Sequence, residues 1–83
     1  MEYVGELISV MAVFSGEQRC KPVKFRWAGR VVEVKDVTYR WTDWQGRSKV
    51  YHFSVTDGGT YYELGFNSVS MSWTLEKVET QVS

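Results

Sequence analysis

The residues best able to bind a ligand are the cations and aromatic rings in the middle of the chain. Residues 17–50 contain nine Lys or Arg and four Asp or Glu, although the whole chain has ten of each sign and no net charge. Cationic grooves with exposed aromatic rings bind single-stranded nucleic acid, because bases stack on the rings and phosphates attract the cations. The candidates for such a surface, or for a partner-binding surface, are Lys24, Arg26, Arg30, Arg40, Trp44, Arg47 and Lys49.

Trp44 is the central residue of this hypothesis, because it breaks the alternating pattern that ends at Trp41. The alternative interpretation is that Trp44 caps one end of a barrel, with Arg or Lys stems lying over the ring. Arg30 can contact phosphate, or it can pair with Glu33 or Asp43. Zero net charge weakens affinity for a polyanion. The cations can therefore equally form the ordinary solvated side of a sheet.

The sequence contains one histidine, His52, and one cysteine, Cys20. His52 alternates with Tyr51 and Phe53, so we expect it to face solvent, and no nucleophile motif accompanies it. A single His and a single Cys do not form a metal site, and the segment 57–59 is too short for a calcium loop. We therefore predict no enzyme and assign no catalytic, cofactor-binding or metal-binding residue. No small-molecule substrate is evident.

Two-residue alternation over residues 22–41 predicts the strands that position these side chains. Val23, Phe25 and Trp27 fall on one face, and the cations between them fall on the other. An apolar series with a period of two is the pattern of a half-buried antiparallel sheet. Antiparallel strands joined by tight turns are therefore the elements expected in this region.

The alternation changes register once. After Val34 the apolar series resumes at Val37, a step of three residues, and we expect Tyr39 and Trp41 to continue it toward the core. A β-bulge near Asp36 would restore the register and bend the strand. A bend of this kind lets a short sheet curl onto itself.

Six strands are predicted, with turn signals between them. They are residues 6–15, 23–27, 31–41, 49–56, 60–66 and 71–78, with hairpin turns at 28–29 and 57–59 and an exposed loop at 42–48. Four Trp, five Tyr and four Phe supply enough apolar surface for a core in a chain of 83 residues. The sequence therefore predicts one all-β domain over residues 1–83. About six antiparallel strands curl into a small SH3-like or related barrel or rolled sheet, with residues 1–5 and 79–83 frayed.

The first predicted strand is apolar on both faces. Ile8, Val10 and Phe14 alternate with Leu7 and other apolar residues. Edge strands and two-sided apolar strands must be paired or covered. This pattern favours a protein partner, either a second copy of the chain or a component of a larger complex.

The core pattern resembles a small bacterial all-β domain family of unknown function. The resemblance lies in Pro22-x-x-Phe25-x-Trp27-x-Gly29-Arg30-x-Val32-x-Val34-x-x-Val37 with Trp41, in Tyr51-x-Phe53-x-Val55 with Gly58, in Tyr62-x-Leu64, and in Trp73-x-Leu75-x-x-Val78. It covers about residues 8–78. Members of the family stand alone or are appended to catalytically inactive Y-family polymerase-like proteins of mutagenic repair complexes. The resemblance implies at most a non-catalytic accessory role, which can lie near DNA.

The sequence shows no secretion signal and no apolar run long enough to span a membrane. A lone cysteine is compatible with a reducing compartment, so we expect a cytoplasmic protein that does not associate with membranes. The favoured function is a protein-interaction or accessory module. The alternative is weak binding of single-stranded nucleic acid by the basic, Trp-containing face.

Overall fold

A computed structural model describes residues 2–14 and 20–80 of the chain. The described residues form seven strands and no helix: β1 (Glu2–Val13), β2 (Lys21–Trp27), β3 (Arg30–Glu33), β4 (Asp36–Gln45), β5 (Ser48–Thr56), β6 (Thr60–Asn67) and β7 (Ser72–Thr80). They make one antiparallel sheet in the order β3-β2-β1-β7-β6-β5-β4. The predicted all-β fold with a rolled antiparallel sheet is confirmed.

The sheet is rolled so that its two edges meet at one corner. β3 and β4 are the edge strands, yet only Val34 and Lys35 connect them. The Val34 N–H donates to the Val23 carbonyl (2.9 Å), and the Lys35 N–H donates to the Thr56 carbonyl (2.8 Å). No ladder joins β3 to β4 in the described residues. The roll is therefore open along the rest of its length and is not a closed barrel.

The predicted strand 31–41 is two strands, which accounts for seven strands where about six were expected. The first irregularity is the break between β3 and β4 at Val34–Lys35. The second is a β-bulge in β4 between Val37 and Tyr39. This bulge reverses the alternation, and Tyr39 is 65% exposed. The prediction that Tyr39 faces the core is therefore wrong, because one extra residue turns every later side chain of the strand to the opposite face.

The core lies on the concave side of the roll, which we call the inner face. Its buried residues are Cys20, Phe25, Val32, Phe53, Val55, Tyr62, Leu64, Phe66, Trp73 and Leu75. Phe25 contacts Tyr62 edge-to-face at 5.1 Å between ring centroids, which joins β2 to β6 across the interior. The Trp73 ring lies 4.8 Å from Phe66 and 5.6 Å from Phe53. Five of the thirteen aromatic residues, Phe25, Phe53, Tyr62, Phe66 and Trp73, therefore lie in this core.

Both predicted hairpin turns are present. Ala28 and Gly29 both have positive φ (54° and 77°), the geometry of a two-residue type I′ turn. In the β5–β6 turn, Asp57 Oδ1 accepts hydrogen bonds from the Gly59 and Thr60 backbone N–H groups, each at 2.9 Å. The hydrogen bond from the Gly59 N–H contributes most to lowering the pKa of Asp57 below its usual value of 3.8.

Several strands extend beyond their predicted bounds. β1 begins at Glu2 and β7 ends at Thr80, so residues 2–5 and 79–80 belong to strands and are not frayed. The predicted loop 42–48 is mostly β4 and β5, and its turn is Gly46-Arg47. Met1, residues 15–19 and residues 81–83 lie outside the described residues. Most of the polar connection expected at residues 15–22, and the extreme ends of the chain, are therefore not described.

Candidate interaction surfaces

The structure separates the seven candidate residues into three groups. Lys24 and Arg26 lie on the convex side of β2, which we call the outer face, and Arg40, Trp44 and Lys49 lie on the inner side of the β4–β5 hairpin. Arg47 lies in the turn of that hairpin, and Arg30 follows the β2–β3 turn. Arg30 forms no ion pair within 4 Å in the described residues, with Glu33 or Asp43 or any other carboxylate. The structure therefore places Lys24 and Arg26 on a different face from Arg40, Trp44 and Lys49.

The β4–β5 hairpin brings cations and aromatic rings together. Trp44 is 64% exposed and lies opposite Lys49 in the ladder. The Lys49 ammonium lies 5.3 Å from the centroid of the Tyr51 ring, within the range of a cation–π contact. Trp44 is therefore the exposed aromatic residue that the sequence predicts, and it does not cap the interior.

A groove of about 330 Å³ lies beside β4, and we call it the inner-face groove. It is lined by Arg40, Trp41, Thr42, Tyr51, His52 and Phe53. The side chains of Arg40, Thr42, Tyr51 and Phe53 share the inner face, because these positions pair directly across β4 and β5. The groove therefore has an aromatic floor, two hydroxyl groups (Thr42 and Tyr51) and one guanidinium.

Arg40 is the charged residue of the groove. Its guanidinium lies 5.7 Å from the centroid of the Phe53 ring, and Nη1 donates a long hydrogen bond (3.3 Å) to the Cys20 carbonyl. A guanidinium has five N–H donors, so most of them remain for a ligand. No carboxylate lies within 4 Å of Arg40 in the described residues.

Cys20 is a structural thiol in this environment. Its side chain belongs to the core, and burial raises the pKa of the Cys20 thiol to about 11 although nearby Arg40 acts in the opposite direction. A thiol that stays protonated at neutral pH is a poor nucleophile. The interpretation of Cys20 as a residue without a chemical role is consistent with this environment.

The outer face of β1 exposes a row of apolar side chains, which we call the β1 strip: Leu7, Met11 and Val13. Lys21, Lys24 and Arg26 of β2 lie directly opposite Val13, Met11 and Ser9 in the ladder. β1 pairs with β7 in its first half, up to Ile8, and with β2 in its second half, from Ser9 to Val13, so each residue of the strip lies in a ladder on one side. The strip is an apolar surface on a paired strand, bordered by cations of β2.

His52 is buried, which corrects the expectation that it faces solvent. It does lie on the face opposite Tyr51 and Phe53, but only 8% of it is exposed because the Trp41 ring stacks on it at 5.0 Å with an interplanar angle of 8°. Its Nδ1 has no hydrogen-bond partner and lies 3.9 Å from Glu63 Oε2. The alternation predicted the face correctly but not the neighbour that covers it.

Lys21 and the groove beside β4 were missed from the sequence. Lys21 falls just before Pro22, in a segment assigned to a connection, and its place beside Val13 depends on a register shift after Met11. The groove exists because the bulge after Val37 turns Arg40 toward the inner face. The polar residues around these irregularities give no signal, since they are compatible with either face.

Neither a metal-binding cluster among the described residues nor a similarity to a known protein assigns a function to these surfaces. In residues 2–14 and 20–80, no group of three or more His, Cys, Asp or Glu residues is placed to hold a metal ion. Within the same residues, no helix has the length and apolar character needed to cross a bilayer. No protein-family model, curated protein or solved structure matches the chain.

Proposed function

We propose that this protein is a non-catalytic protein-interaction module that binds another protein through the β1 strip. The observation that supports this most directly is the exposure of Leu7 (75%) and of Met11 and Val13, each more than half exposed, in one row on a paired strand. Isolated exposed apolar residues are ordinary, but several exposed apolar residues on one face of a regular strand are typical of interaction sites.

The charges beside the strip indicate the chemistry of the partner. Lys24 and Arg26 are exposed, and neither forms an ion pair within 4 Å in the described residues. Apolar anchors surrounded by a charged rim are the usual composition of a protein interface. The partner surface is therefore an apolar patch with acidic residues at its border. The resemblance to the bacterial domain family supports the same kind of role, an accessory component of a cytoplasmic complex.

A site-specific photocrosslinking experiment tests this proposal. A benzophenone amino acid replaces Ser9, which lies in the strip between Leu7 and Met11, and a control protein bears it at Ser70, an exposed position in the β6–β7 turn. We expect a specific crosslinked protein from position 9 and none from position 70. Equal crosslinking at both positions would contradict the proposal. Crosslinking only to a second copy of the chain would show that the β1 strip forms a homodimer interface and does not bind a different protein.

The purified partner then allows a matched comparison of variants. Leu7→Ser removes an apolar side chain from the strip, and Val69→Ser removes one of similar exposure (69%) from the β6–β7 turn. We expect Leu7→Ser to weaken binding about tenfold or more, as an interface anchor does, and Val69→Ser to leave it unchanged. Equal effects would show that the β1 strip is not the binding surface.

Binding of single-stranded nucleic acid is the second candidate function. Its support is the juxtaposition of Trp44, Lys49 and Arg40 on one side of the hairpin. Lys24 and Arg26 lie on the other face of the sheet and do not extend this patch. A mixed-sequence oligonucleotide that quenches Trp fluorescence, with quenching lost in Trp44→Leu and weakened by added salt, would support this function. An unchanged spectrum at low salt would exclude it.

A further inference from the structure

We propose that the free edge of β4 binds an extended segment of another protein as an eighth strand, and that alternate side chains of this segment enter the inner-face groove. This site is separate from the β1 strip and does not depend on it. The segment would alternate apolar or acidic residues on its inner side with variable residues on its outer side.

The first observation is the length and regularity of the edge. β4 pairs only with β5 in the described residues, and it is ten residues long, whereas the other edge strand, β3, has four. From Tyr39 to Gln45 each residue pairs with β5 without interruption. Alternate residues of an edge strand direct backbone N–H and C=O groups away from the sheet, which is the template for adding a strand.

The second observation is the inner-face groove over the β4–β5 hairpin, next to the same edge. Side chains of an added strand alternate between the two faces, so every second one would lie beside Arg40 and Thr42. Phe53 and Tyr51 form an apolar floor of the groove. Backbone pairing supplies affinity in this mode of binding, and a pocket for alternate side chains supplies specificity. Nucleic acid has no backbone that continues a sheet, so the edge favours a peptide.

The charge of the hairpin selects the occupant. Arg40 and Lys49 lie on the inner side of the hairpin and Arg47 lies in its turn, while Asp43 lies on the outer side. An acidic side chain placed over the groove would pair with Arg40, which has no carboxylate partner within 4 Å in the described residues. A second copy of β4 would instead bring another set of the same cations to this edge. An acidic segment of a different protein is therefore the occupant.

Matched N-methylated peptides test the proposal without altering the protein. The probe is a soluble ten-residue peptide of alternating glutamate and threonine or valine, capped at both ends. Two further versions carry N-methyl groups on the odd or on the even residues, so that each lacks the hydrogen-bond donors of one edge. Binding is followed by backbone amide shifts in ¹⁵N-labelled protein.

We expect the unmodified peptide and one methylated version to shift amides of residues 39–45, and the other methylated version to lose binding. Equal binding by both methylated versions would show that no strand is added, and no shift at millimolar peptide would overturn the proposal. Shifts of residues 39–45 that depend on protein concentration alone would show that the β4 edge binds a second copy of the chain and not a peptide. Shifts produced there by a mixed oligonucleotide, with none from the peptides, would assign the site to nucleic acid.

A pair of charge variants tests the role of the groove. Arg40→Gln removes the groove cation, and Arg30→Gln removes an exposed cation that follows the β2–β3 turn and belongs to neither proposed surface. We expect Arg40→Gln to weaken peptide binding about tenfold, the effect of losing a charge-assisted hydrogen bond, and Arg30→Gln to have no more than a twofold effect. Equal losses in the two variants would indicate non-specific charge attraction. Wild-type amide dispersion in each variant confirms that it is folded.

Discussion

Replacing His52 by phenylalanine should make the protein more stable. His52 is stacked against Trp41 and is 8% exposed, and its Nδ1 is buried without a hydrogen-bond partner. Phenylalanine keeps a flat ring in the same position and removes the unpartnered nitrogen. The stack with Trp41 is retained, because offset aromatic rings at this separation attract each other.

The magnitude follows from two opposing effects. A buried polar atom without a partner costs about 1–3 kcal/mol. The larger phenylalanine ring must be accommodated beneath Trp41, and modest overpacking costs about 1 kcal/mol. The expected net result is a gain of about 0–2 kcal/mol in the free energy of unfolding. His52→Ala should instead lose about 2–3 kcal/mol, because it removes both the stack and the buried ring area.

The assay is urea denaturation of the three proteins at one fixed pH. Trp fluorescence and far-ultraviolet circular dichroism should give coincident transitions, which establishes two-state behaviour. If His52→Phe is less stable than the wild-type protein by more than about 1 kcal/mol, the nitrogen has a partner in solution. The inference that His52 contributes packing alone would then be refuted.

Three further predictions concern the turn, the tryptophans and alkaline pH. Ala28→Asn should raise the free energy of unfolding by about 0.5–1 kcal/mol in thermal denaturation, because asparagine tolerates the positive φ of this position; a loss would contradict the turn geometry. Trp73→Ala should cost about 3–5 kcal/mol in urea denaturation, and Trp44→Ala less than about 1 kcal/mol; equal losses would place Trp44 in the core. Burial raises the pKa of Cys20 to about 11 and also raises the pKa of Tyr62. The folded state therefore holds these protons more tightly than the unfolded state, and stability should fall as pH rises above 9.0, the ordinary thiol value, toward 11. Cys20→Ala should flatten this decline in denaturation midpoints measured from pH 8 to 11, and an unchanged slope would count against the raised thiol pKa.

The local sequence pattern was sufficient to predict the structure wherever hydrogen bonding and burial depend on residues that are close in sequence. Val23, Phe25 and Trp27 alternate with cations, and the structure places Phe25 in the core and the cations outside. The turns at Ala28-Gly29 and Asp57 were also predictable, because their residues favour the required backbone geometry or supply a side-chain acceptor. The all-β class follows from such local features.

The inner-face groove was less predictable because two irregularities fall within the predicted strand 31–41. The break at Val34–Lys35 was foreseen as a register change, but the bulge between Val37 and Tyr39 was not. That bulge turns Tyr39 outward and Arg40 inward. Thr38 is polar and compatible with either face, so the sequence has no signal there, and each face assignment beyond it was reversed.

The sequence by itself determined that this chain forms antiparallel strands around an aromatic interior, because alternation and turn chemistry act over a few residues. Only the tertiary structure decided which cations share a face, because that depends on how the sheet rolls. Trp41 covers His52 across the β4–β5 ladder, and Lys21 meets Val13 across the β1–β2 ladder. Contacts between strands depend on register, and a single inserted residue changes register without changing the composition of the strand.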